Sequence, residues 1–349
     1  MRAGALWLDV TAPASEYGLA PLAGSSPDVG VVGYTLGGGL SWLGRKHGLA
    51  ADSVTAIEIV LADGRKVRCD DQNEPELFWA LRGGGGSFGI VTAMEFELHP
   101  VPALYGGPMF WPADRAAEVM HAWREWTRTA PDSVTSSVRL LNIPDLPDVP
   151  APLRGRAMIN VDAAVLAGAE EAAAILAPLT ALEPEIAMLG EMPPVALSRL
   201  HNDPEEPQPF TSASMVLETL TADAVDALLS AVADAPALML VEIRHLGGAL
   251  ARRAPGGGAL GRFPGEYLFF TGGIVTGVEA AMAIDADASR AKAALEPCRG
   301  THNYLNFEER STNPATLFDP QAYARLRQVK TMVDPEDMIR ANHSIAPRD

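Results

Sequence analysis

Beyond about residue 105 the sequence alternates helical stretches with short apolar segments, and this alternation limits the fold more than any other feature. The predicted helices are Ala113–Thr129, Ala163–Leu176, Ala222–Ala233, Val278–Leu295 and, near the end, Tyr323–Met332. The predicted strands are Val134–Leu141, Arg156–Val161, Ser214–Thr219, Met239–His245 and Tyr267–Val275. Helices that alternate with strands predict a sheet with helices on one face, and the residues leave the strand direction open.

The first hundred residues follow a different pattern, with short strands, tight turns and few helices. Ile57–Leu61 and Lys66–Arg68 flank Asp63-Gly64, a dipeptide that favours a two-residue hairpin turn. A helix is predicted at Glu74–Leu81. A half-buried strand is predicted at Ile90–Leu98, because every second side chain from Ile90 onward would share one face. The Pro-rich turn that follows predicts a domain boundary near residue 103.

The composition indicates a globular protein that has no nucleic-acid or membrane partner. A chain of 349 residues is long enough for two domains, and its hydrophobic content of 48% argues against disorder. The net charge of −17 repels phosphate backbones and anionic lipid surfaces. No apolar run reaches the roughly 18 residues of a membrane helix, and the first residues do not resemble a signal peptide.

The cysteine content points to a reducing compartment. Cys69 and Cys298 are the two cysteines of the chain, and they lie far apart with no C-x-x-C spacing. We therefore expect two reduced thiols and a cytoplasmic location. The histidines His47, His245, His302 and His343 have no metal-ligand spacing either, so no metal site is predicted.

The densest local motif is the glycine-rich run Gly30-Val31-Val32-Gly33-Tyr34-Thr35-Leu36-Gly37-Gly38-Gly39. A loop with so few Cβ atoms lets backbone N–H groups approach an anionic or planar ligand. The spacing is not that of a P-loop, and the strand–loop–helix setting of a dinucleotide fingerprint is lacking. A plain glycine-rich turn explains the spacing equally well. The second run, Arg82–Gly89, is more typical of a helix end than of a ligand site.

Tyr304-Leu305-Asn306-Phe307 is the other candidate for chemistry. A tyrosine can act as a base where a positive or electron-poor neighbour lowers its pKa, and Asn306 can hydrogen-bond a heteroaromatic edge. Taken alone, such a stretch usually has a strand and packing role. Arg244 and Arg262 adjoin predicted strands and could meet an anionic or hydroxylated substrate, although surface charge or a structural ion pair is the commoner role.

Taken in order, the motifs resemble the berberine bridge enzyme-like branch of the FAD-linked oxidases, which share the fold of vanillyl-alcohol oxidase. They are Gly24–Gly30, Gly33–Gly39, Arg45–Val54, Leu77–Thr92, Tyr304–Phe307, Asp334-Pro335 and Asn342–Ile345. Because these motifs stand near both ends, the resemblance covers nearly the whole chain. Residues 105–300 match the family loosely.

The resemblance implies an α+β fold in which a PCMH-type FAD-binding domain carries an inserted substrate domain, a mainly antiparallel sheet covered by helices. Residues 1–103 would form the second part of the FAD-binding domain, which is expected to be incomplete at its N-terminus. The substrate domain would comprise residues 104–300, and residues 301–349 would return to the FAD domain. FAD is the implied cofactor. The residues implied to contact it are Gly30, Gly33, Gly37, Gly38, Gly39, Gly48, Leu49, Asp52, Val54, Gly89, Ile90, Val91 and Asn306.

The implied reaction moves a hydride from a small hydroxylated or secondary-metabolite substrate to flavin N5, and dioxygen reoxidises the flavin. Tyr304 corresponds to the tyrosine that takes a proton from the substrate. An FAD-linked dehydrogenase with another electron acceptor would carry the same motifs. The oligomeric state is left open.

The mode of flavin attachment is expected to differ from that of many relatives. Many members attach FAD to a histidine in an upstream loop, and some add a cysteine just before the second glycine loop. The sequence begins after the first position and has Ser26 at the second, so non-covalent FAD is expected. We expect either a misplaced gene start or a shortened homologue, and a flavin-free remnant that binds a small molecule is the rival interpretation.

Overall fold

Three antiparallel sheets organise the residues that the computed structural model describes, which are 1–147, 149–203, 205 and 207–348. The helices are α1 (Leu8–Ser15), α2 (Val31–Leu36), α3 (Gly44–His47), α4 (Pro75–Leu81), α5 (Ala116–Thr127), α6 (Ala169–Thr180), α7 (Ala222–Val232), α8 (Val278–Leu295) and α9 (Pro320–Val333). The strands are β1 (Leu19–Ala20), β2 (Val54–Val60), β3 (Lys66–Cys69), β4 (Ile90–Phe96), β5 (His99–Pro100), β6 (Tyr105–Pro112), β7 (Val134–Asn142), β8 (Ala157–Val165), β9 (Ile186–Ala187), β10 (Gly190–Glu191), β11 (Phe210–Leu217), β12 (Leu240–His245) and β13 (Tyr267–Ile274).

The largest sheet has the strand order β10-β6-β8-β7-β12-β13-β11, with β9 beside β6, and every pairing is antiparallel. Helices α5 to α8 bury the apolar side chains of one face in a single core. The amphipathic pattern of these helices supplies the matching apolar stripe. The prediction of a mainly antiparallel sheet covered by helices is confirmed.

The two faces of this sheet differ in polarity. On β12, Val241 and Ile243 belong to the core beneath the helices, whereas Glu242 and Arg244 point to the opposite face, as the two-residue period of a strand requires. On that opposite face, Leu268 of β13 packs with the N-terminal part of the chain in a small apolar cluster. The polar face is therefore the one that meets the glycine-rich segments.

The smaller sheet β3-β2-β4 has its own core, in which the N-terminal and C-terminal segments meet. Phe78 and Phe88 pack there against Leu326 of α9 and Ile345. Below this core, the buried Lys330 amino group donates hydrogen bonds to the Asp334 carboxylate (2.6 Å) and to backbone carbonyls, including that of Ser87. The C-terminal segment thus returns to the N-terminal sheet. The limits at residues 103 and 300 stay predictions.

The predicted antiparallel pairing of β2 with β3 is confirmed, but the turn is longer than the predicted two residues, because Val60 pairs with Lys66. Gly64 in this turn has a φ of +83°. Two other predictions need correction. The helix predicted at Ala163–Leu176 is wrong in its first part, because residues 163–165 complete β8 between β6 and β7. These residues are buried on both faces of the sheet, which overrides the helical preference of alanine.

The strand predicted at Ile90–Leu98 ends at Phe96, and its buried face differs from the predicted one. Ile90 is 60% exposed and Val91 is buried, the reverse of the prediction, whereas Met94 is buried as predicted. The pairing with β2 shifts register between Glu58 and Ile59, and such a bulge breaks the regular alternation.

Among the described residues, no helix is both long and apolar enough to cross a membrane.

Candidate functional site

Tyr304 lies where the C-terminal segment meets the glycine-rich run, immediately before a 3-10 turn at Leu305–Phe307. Its side chain is 1% exposed. The hydroxyl oxygen accepts a hydrogen bond from the backbone N–H of Gly39 (2.9 Å) and another from the Asn306 amide (3.1 Å). Two donors aimed at one phenol oxygen stabilise its ionised form, the form that would accept a proton.

The charge state of Tyr304 results from opposing influences. Burial raises the pKa of the phenol well above its ordinary value, while the hydrogen bonds from Gly39 and Asn306 and the charge of Arg244 lower it. Burial has the larger effect, so the pKa lies above that of a tyrosine in water and the phenol keeps its proton at neutral pH. The Tyr304 phenol therefore loses its proton only at alkaline pH.

The run Gly30–Gly39 is not a loop throughout, which corrects the sequence interpretation. Val31–Leu36 form helix α2, in which the Thr35 hydroxyl donates to the Val31 carbonyl (2.7 Å). Gly30 and Gly37 stand at the two ends of this helix. The buried side chain of Val31 anchors it against the N-terminal segment. Tertiary packing therefore outweighs the low helix propensity of glycine.

Each glycine of this run has a different environment. A Cβ atom at Gly37 would overlap the Asn306 side chain, and one at Gly39 would overlap Tyr34. Gly38 and Gly39 also have φ values of +110° and +79°. By contrast, a Cβ at the exposed Gly30 or Gly33 would meet no atom within 4 Å. Gly37–Gly39 thus serve close packing, and Gly30 and Gly33 leave room beside the backbone.

The predicted segment Gly48–Val54 joins the same cluster. The backbone N–H groups of Ala50 and Ala51 donate to the carbonyls of Gly39 (3.1 Å) and Gly38 (2.8 Å). The Asp52 carboxylate accepts from the N–H of Leu49 (3.3 Å), and burial raises the pKa of this carboxyl. Gly48, with a φ of +91°, allows the turn, and Val54 is buried at the start of β2.

Gly89, Ile90 and Val91 lie at the start of β4, apart from the hydrogen bonds that surround Tyr304. A Cβ at Gly89, where φ is +155°, would overlap the carbonyl of Val60 on the paired strand. Within the described residues these three make no hydrogen bond to Tyr304, Asn306 or Gly39. The nearby Gly85 provides a connection, because its N–H donates to the Leu36 carbonyl (2.9 Å).

Tyr304 borders a cavity of about 300 Å³ between the glycine-rich segment and the polar face of the large sheet. Its walls are Gly24, Ser25, Ser26, Val29, Tyr34, Leu40, Arg244, Tyr304, Asn306 and Phe307. The sequence had suggested two arginines for substrate contact. Arg244 lines this cavity, whereas Arg262 lines a separate cavity of about 390 Å³ with His302 and Asp319.

Several polar residues behind Arg244 escaped the sequence analysis. Glu242, His201, Asp162 and Arg139 form a buried chain of charges beneath the cavity. Alternation along β12 could have placed Glu242 and Arg244 on one face. His201 comes from a distant turn, and no sequence pattern links it to them.

The residues around the cavity fit a flavin on the features of the structure itself. Tyr34, Tyr304 and Phe307 supply aromatic walls. Gly30 and Gly33, which adjoin the lining residues Val29 and Tyr34 in sequence, have open space beside the backbone. Ser26 lines the cavity, and neither a cysteine nor a histidine does so among the described residues. Cys69 and Cys298 are buried elsewhere. Within the described residues, no group of three or more potential metal ligands occurs.

Comparison with known proteins agrees with this geometry. Residues 1–70 match the family described as FAD binding domain, and residues 303–346 match the family described as Berberine and berberine like. The FAD-linked oxidoreductase YgaK of Bacillus subtilis (strain 168) is 30% identical over 361 residues, which cover 99% of this chain and 77% of the relative. (R)-6-hydroxynicotine oxidase of Paenarthrobacter nicotinovorans is 28% identical over 351 residues, with coverage of 97% and 75%.

The fold agrees with a solved structure of the same group. Wild-type BBE-like 1 from Physcomitrella patens superposes with a TM-score of 0.85 at 18% identity, over 100% of this chain and 77% of the other. The chain therefore belongs to the berberine bridge enzyme-like branch of the FAD-linked oxidoreductases, has their α+β PCMH-type fold, and is an enzyme that uses FAD.

Proposed function

We propose that this enzyme is an oxidase that takes a hydride from a carbon of a small hydroxylated or secondary-metabolite substrate bound beside Tyr304. Bound FAD would supply the hydride acceptor for this reaction, and dioxygen would serve as the final electron acceptor, with hydrogen peroxide as the product. The observation that carries this proposal is the Tyr304 hydroxyl at the cavity wall, held by two N–H donors. The name of the relative (R)-6-hydroxynicotine oxidase supports both a small hydroxylated substrate and an oxidase.

Tyr304 is the proposed catalytic residue. In its phenolate form it takes the proton of the substrate hydroxyl, while the carbon that bears the hydroxyl loses its hydride. The N–H of Gly39, the amide of Asn306 and the charge of Arg244 favour the phenolate, and burial opposes it. The supply of phenolate then limits the reaction at neutral pH.

The proposed FAD contacts fall into three groups. Gly30 and Gly33 offer open backbone, and Gly37, Gly38 and Gly39 shape the wall that ends at Tyr304. Gly48, Leu49, Asp52 and Val54 support this wall, and Asn306 presents its amide beside it. Gly89, Ile90 and Val91 are proposed to contact the cofactor through their backbone. With Ser26 in the cavity, the attachment is proposed to be non-covalent.

Flavin content and oxygen use test the proposal directly. The purified protein should carry FAD close to one per chain, and acid precipitation should release it into the supernatant. Substrate should bleach the flavin absorbance without air, and admission of air should restore it with one peroxide per turnover. Failure of FAD to bind to or reconstitute the protein would overturn the enzyme proposal for this chain.

A second function is the FAD-linked dehydrogenase that uses an acceptor other than oxygen. A solved relative supports it, because the G164A variant of berberine bridge enzyme is called a reticuline dehydrogenase. Slow reoxidation in air, with fast reoxidation by a quinone or dye, would favour this function.

The cytoplasmic location is also part of this proposal. Its support is chemical, because Cys69 and Cys298 are both free and buried. Free thiols are typical of reducing compartments. Fractionation of cells that express the native gene would test the location.

A further inference from the structure

Five polar residues form a buried charge network on the cavity side of the large sheet: Arg139, Asp162, His201, Glu242 and Arg244. An Arg139 nitrogen lies 2.7 Å from the Asp162 carboxylate, and His201 Nδ1 lies 2.9 Å from the same carboxylate. On its other side, His201 Nε2 lies 3.3 Å from Glu242 Oε1. Arg244 Nε donates to that same Glu242 oxygen at 2.9 Å. The network therefore runs from the interior of the sheet to the cavity wall.

Both carboxylates of the network are ionised in the folded protein. Burial alone raises the pKa of Asp162 and of Glu242, but neighbouring charges outweigh it. Arg139 and His201 lower the pKa of Asp162, and Arg244, His201 and Arg139 lower that of Glu242. Each carboxylate is at most 3% exposed, so its charge is directed at the network and not at the cavity.

Arg244 is the member of the network that reaches the cavity. Its side chain is 19% exposed, and its guanidinium lies 5.1 Å from the centre of the Phe307 ring. Nε is used by Glu242, while the two terminal nitrogens donate to no partner among the described residues. An arginine fixed through Nε presents its remaining N–H groups as a planar fork, the geometry that suits a carboxylate.

Within the described part of the chain, the remaining residues that line the cavity carry no charge, so Arg244 determines the electrostatic preference of the cavity. Apart from Arg244, the lining residues are one glycine, two serines, apolar and aromatic side chains, and Asn306. Among the described residues that line the cavity, a ligand meets one positively charged side chain and no negatively charged one. The overall charge of −17 makes such a local positive site selective, because anions are repelled elsewhere.

We propose that Arg244 binds a carboxylate or an equivalent planar oxyanion of the substrate. The substrates would then be small hydroxylated organic acids, aliphatic or aromatic, in their ionised form. This inference rests on the proposed function, since it concerns the substrate of the same cavity. Arg244 sets specificity, and Glu242 positions its guanidinium.

Binding of benzoate and of benzamide, which differ in charge and little in shape, tests the proposal without turnover. Isothermal titration calorimetry on the purified protein with its bound FAD should give at least tenfold tighter binding of benzoate. Arg244→Gln should weaken benzoate about 10–100-fold and leave benzamide unchanged, the range expected for charge-assisted hydrogen bonds. Arg244→Lys, which keeps the charge and loses the fork, should fall between them. Arg290→Gln, on the exposed side of α8, is the matched control and should bind like the parent protein.

Because Arg244→Gln leaves Glu242 buried without its partner, the double variant Glu242→Gln/Arg244→Gln should be measured as well. It removes both charges and should show the same loss of benzoate preference. A parent protein without preference, or a preference that survives both substitutions, would overturn the proposal. If the Arg244 variants bind benzoate as the parent does and the reduction potential of their bound FAD is lowered, Arg244 acts on the cofactor and not on the substrate. That outcome would also overturn the proposal.

These outcomes are distinct from failure of the proposed function. Lack of FAD would refute the oxidase, and calorimetry on the FAD-free protein would still report on Arg244. Retained FAD and peroxide formation without a carboxylate preference would refute only the role of Arg244.

Discussion

The hydroxyl oxygen of Tyr304 lies 2.9 Å from the backbone nitrogen of Gly39, a residue 265 positions earlier in the chain. This contact joins the C-terminal segment to the glycine-rich run and fixes the direction of the phenol. Replacement of the tyrosine by phenylalanine removes the hydroxyl and leaves the ring packing between Phe263 and Phe307 in place. Chemistry and stability can therefore be separated at this position.

Tyr304→Phe should keep FAD bound and lower kcat/KM by about 10²–10⁴, the usual contribution of a proton-transfer residue. Because the pKa of Tyr304 lies above its ordinary value, the rate of the parent enzyme should rise with pH throughout the alkaline range in which the protein stays folded. The variant should lose this rise. Tyr17→Phe, at an exposed tyrosine, is the control. A steady-state pH profile that is identical for Tyr304→Phe and the parent would remove Tyr304 from the mechanism.

Alanine substitutions at Gly33, within helix α2, and at Gly37, at its C-terminal end, should change the free energy of unfolding in opposite directions. Gly37→Ala places a methyl group into the Asn306 side chain, and we expect a loss of about 1–3 kcal/mol in the free energy of unfolding. Gly33→Ala meets open space and should gain about 0.5–1 kcal/mol, because alanine is the better helix former. Urea unfolding of the FAD-free proteins measures both.

Gly33→Ala also tests the proposed cofactor contact. If the backbone there lies against FAD, the added methyl group should weaken FAD binding in a titration followed by flavin fluorescence, although the protein itself is more stable. Equal FAD affinity for the variant and the parent would show that Gly33 does not face the cofactor.

Lys330→Met should destabilise the protein by about 3–5 kcal/mol, because it leaves the Asp334 carboxylate buried without its counter-charge. The exposed pair of Arg68 and Glu95 provides a comparison, and Arg68→Gln should cost less than about 1 kcal/mol. Chemical unfolding monitored by tryptophan fluorescence gives both values. If the two variants lose similar amounts of unfolding free energy, burial of the Lys330–Asp334 pair does not determine its contribution to stability.

The buried His245 should make the protein less stable in acid. Burial, aided by the charge of Arg45, lowers the pKa of His245 to about 2, whereas the unfolded chain has the ordinary value of 6.5. Between these values the unfolded state binds a proton that the folded state does not, so stability falls as the pH drops below 6.5. From pH 8 to pH 5 this residue should contribute a decrease of about 2 kcal/mol.

His245→Gln should remove that part of the pH dependence, and His302→Gln, at a half-buried residue outside the sheet, should leave it unchanged. Some decline will persist in His245→Gln because burial also lowers the pKa of His47, to about 4. Thermal unfolding at pH 8 and pH 5 gives the comparison. A His245→Gln protein with the full decline of the parent would refute the assignment.

The helix-covered sheet was predictable because apolar strands and amphipathic helices alternate strongly between residues 105 and 300. The start of α6 was not, since Ala163–Val165 are alanines and valine whose state depends on neighbouring strands. Helix α2 was missed for a related reason. Its C-terminal end packs on Asn306, and that contact has no signature within Gly30–Gly39.

The site shows the same division between local and distant information. The motifs around Gly39 and Tyr304 were identified from the sequence, and the structure brings them into contact. Of the partners of Arg244, Glu242 could have been found from the alternation along β12, whereas His201 lies about forty residues from both and was not identifiable. Side chains that meet only across the sheet leave no spacing that a single sequence reveals.

The closure of the N-terminal core by Leu326 and Ile345 has a consequence for synthesis in the cell. Chains fold from the N-terminus as they leave the ribosome, so Phe78 and Phe88 emerge long before the residues that cover them. Until α9 is released, these apolar side chains lack the partners that cover them in the folded protein. The wall of the cavity that Tyr304 forms is also synthesised later than the strands of the large sheet, so the site is complete only when translation is nearly finished.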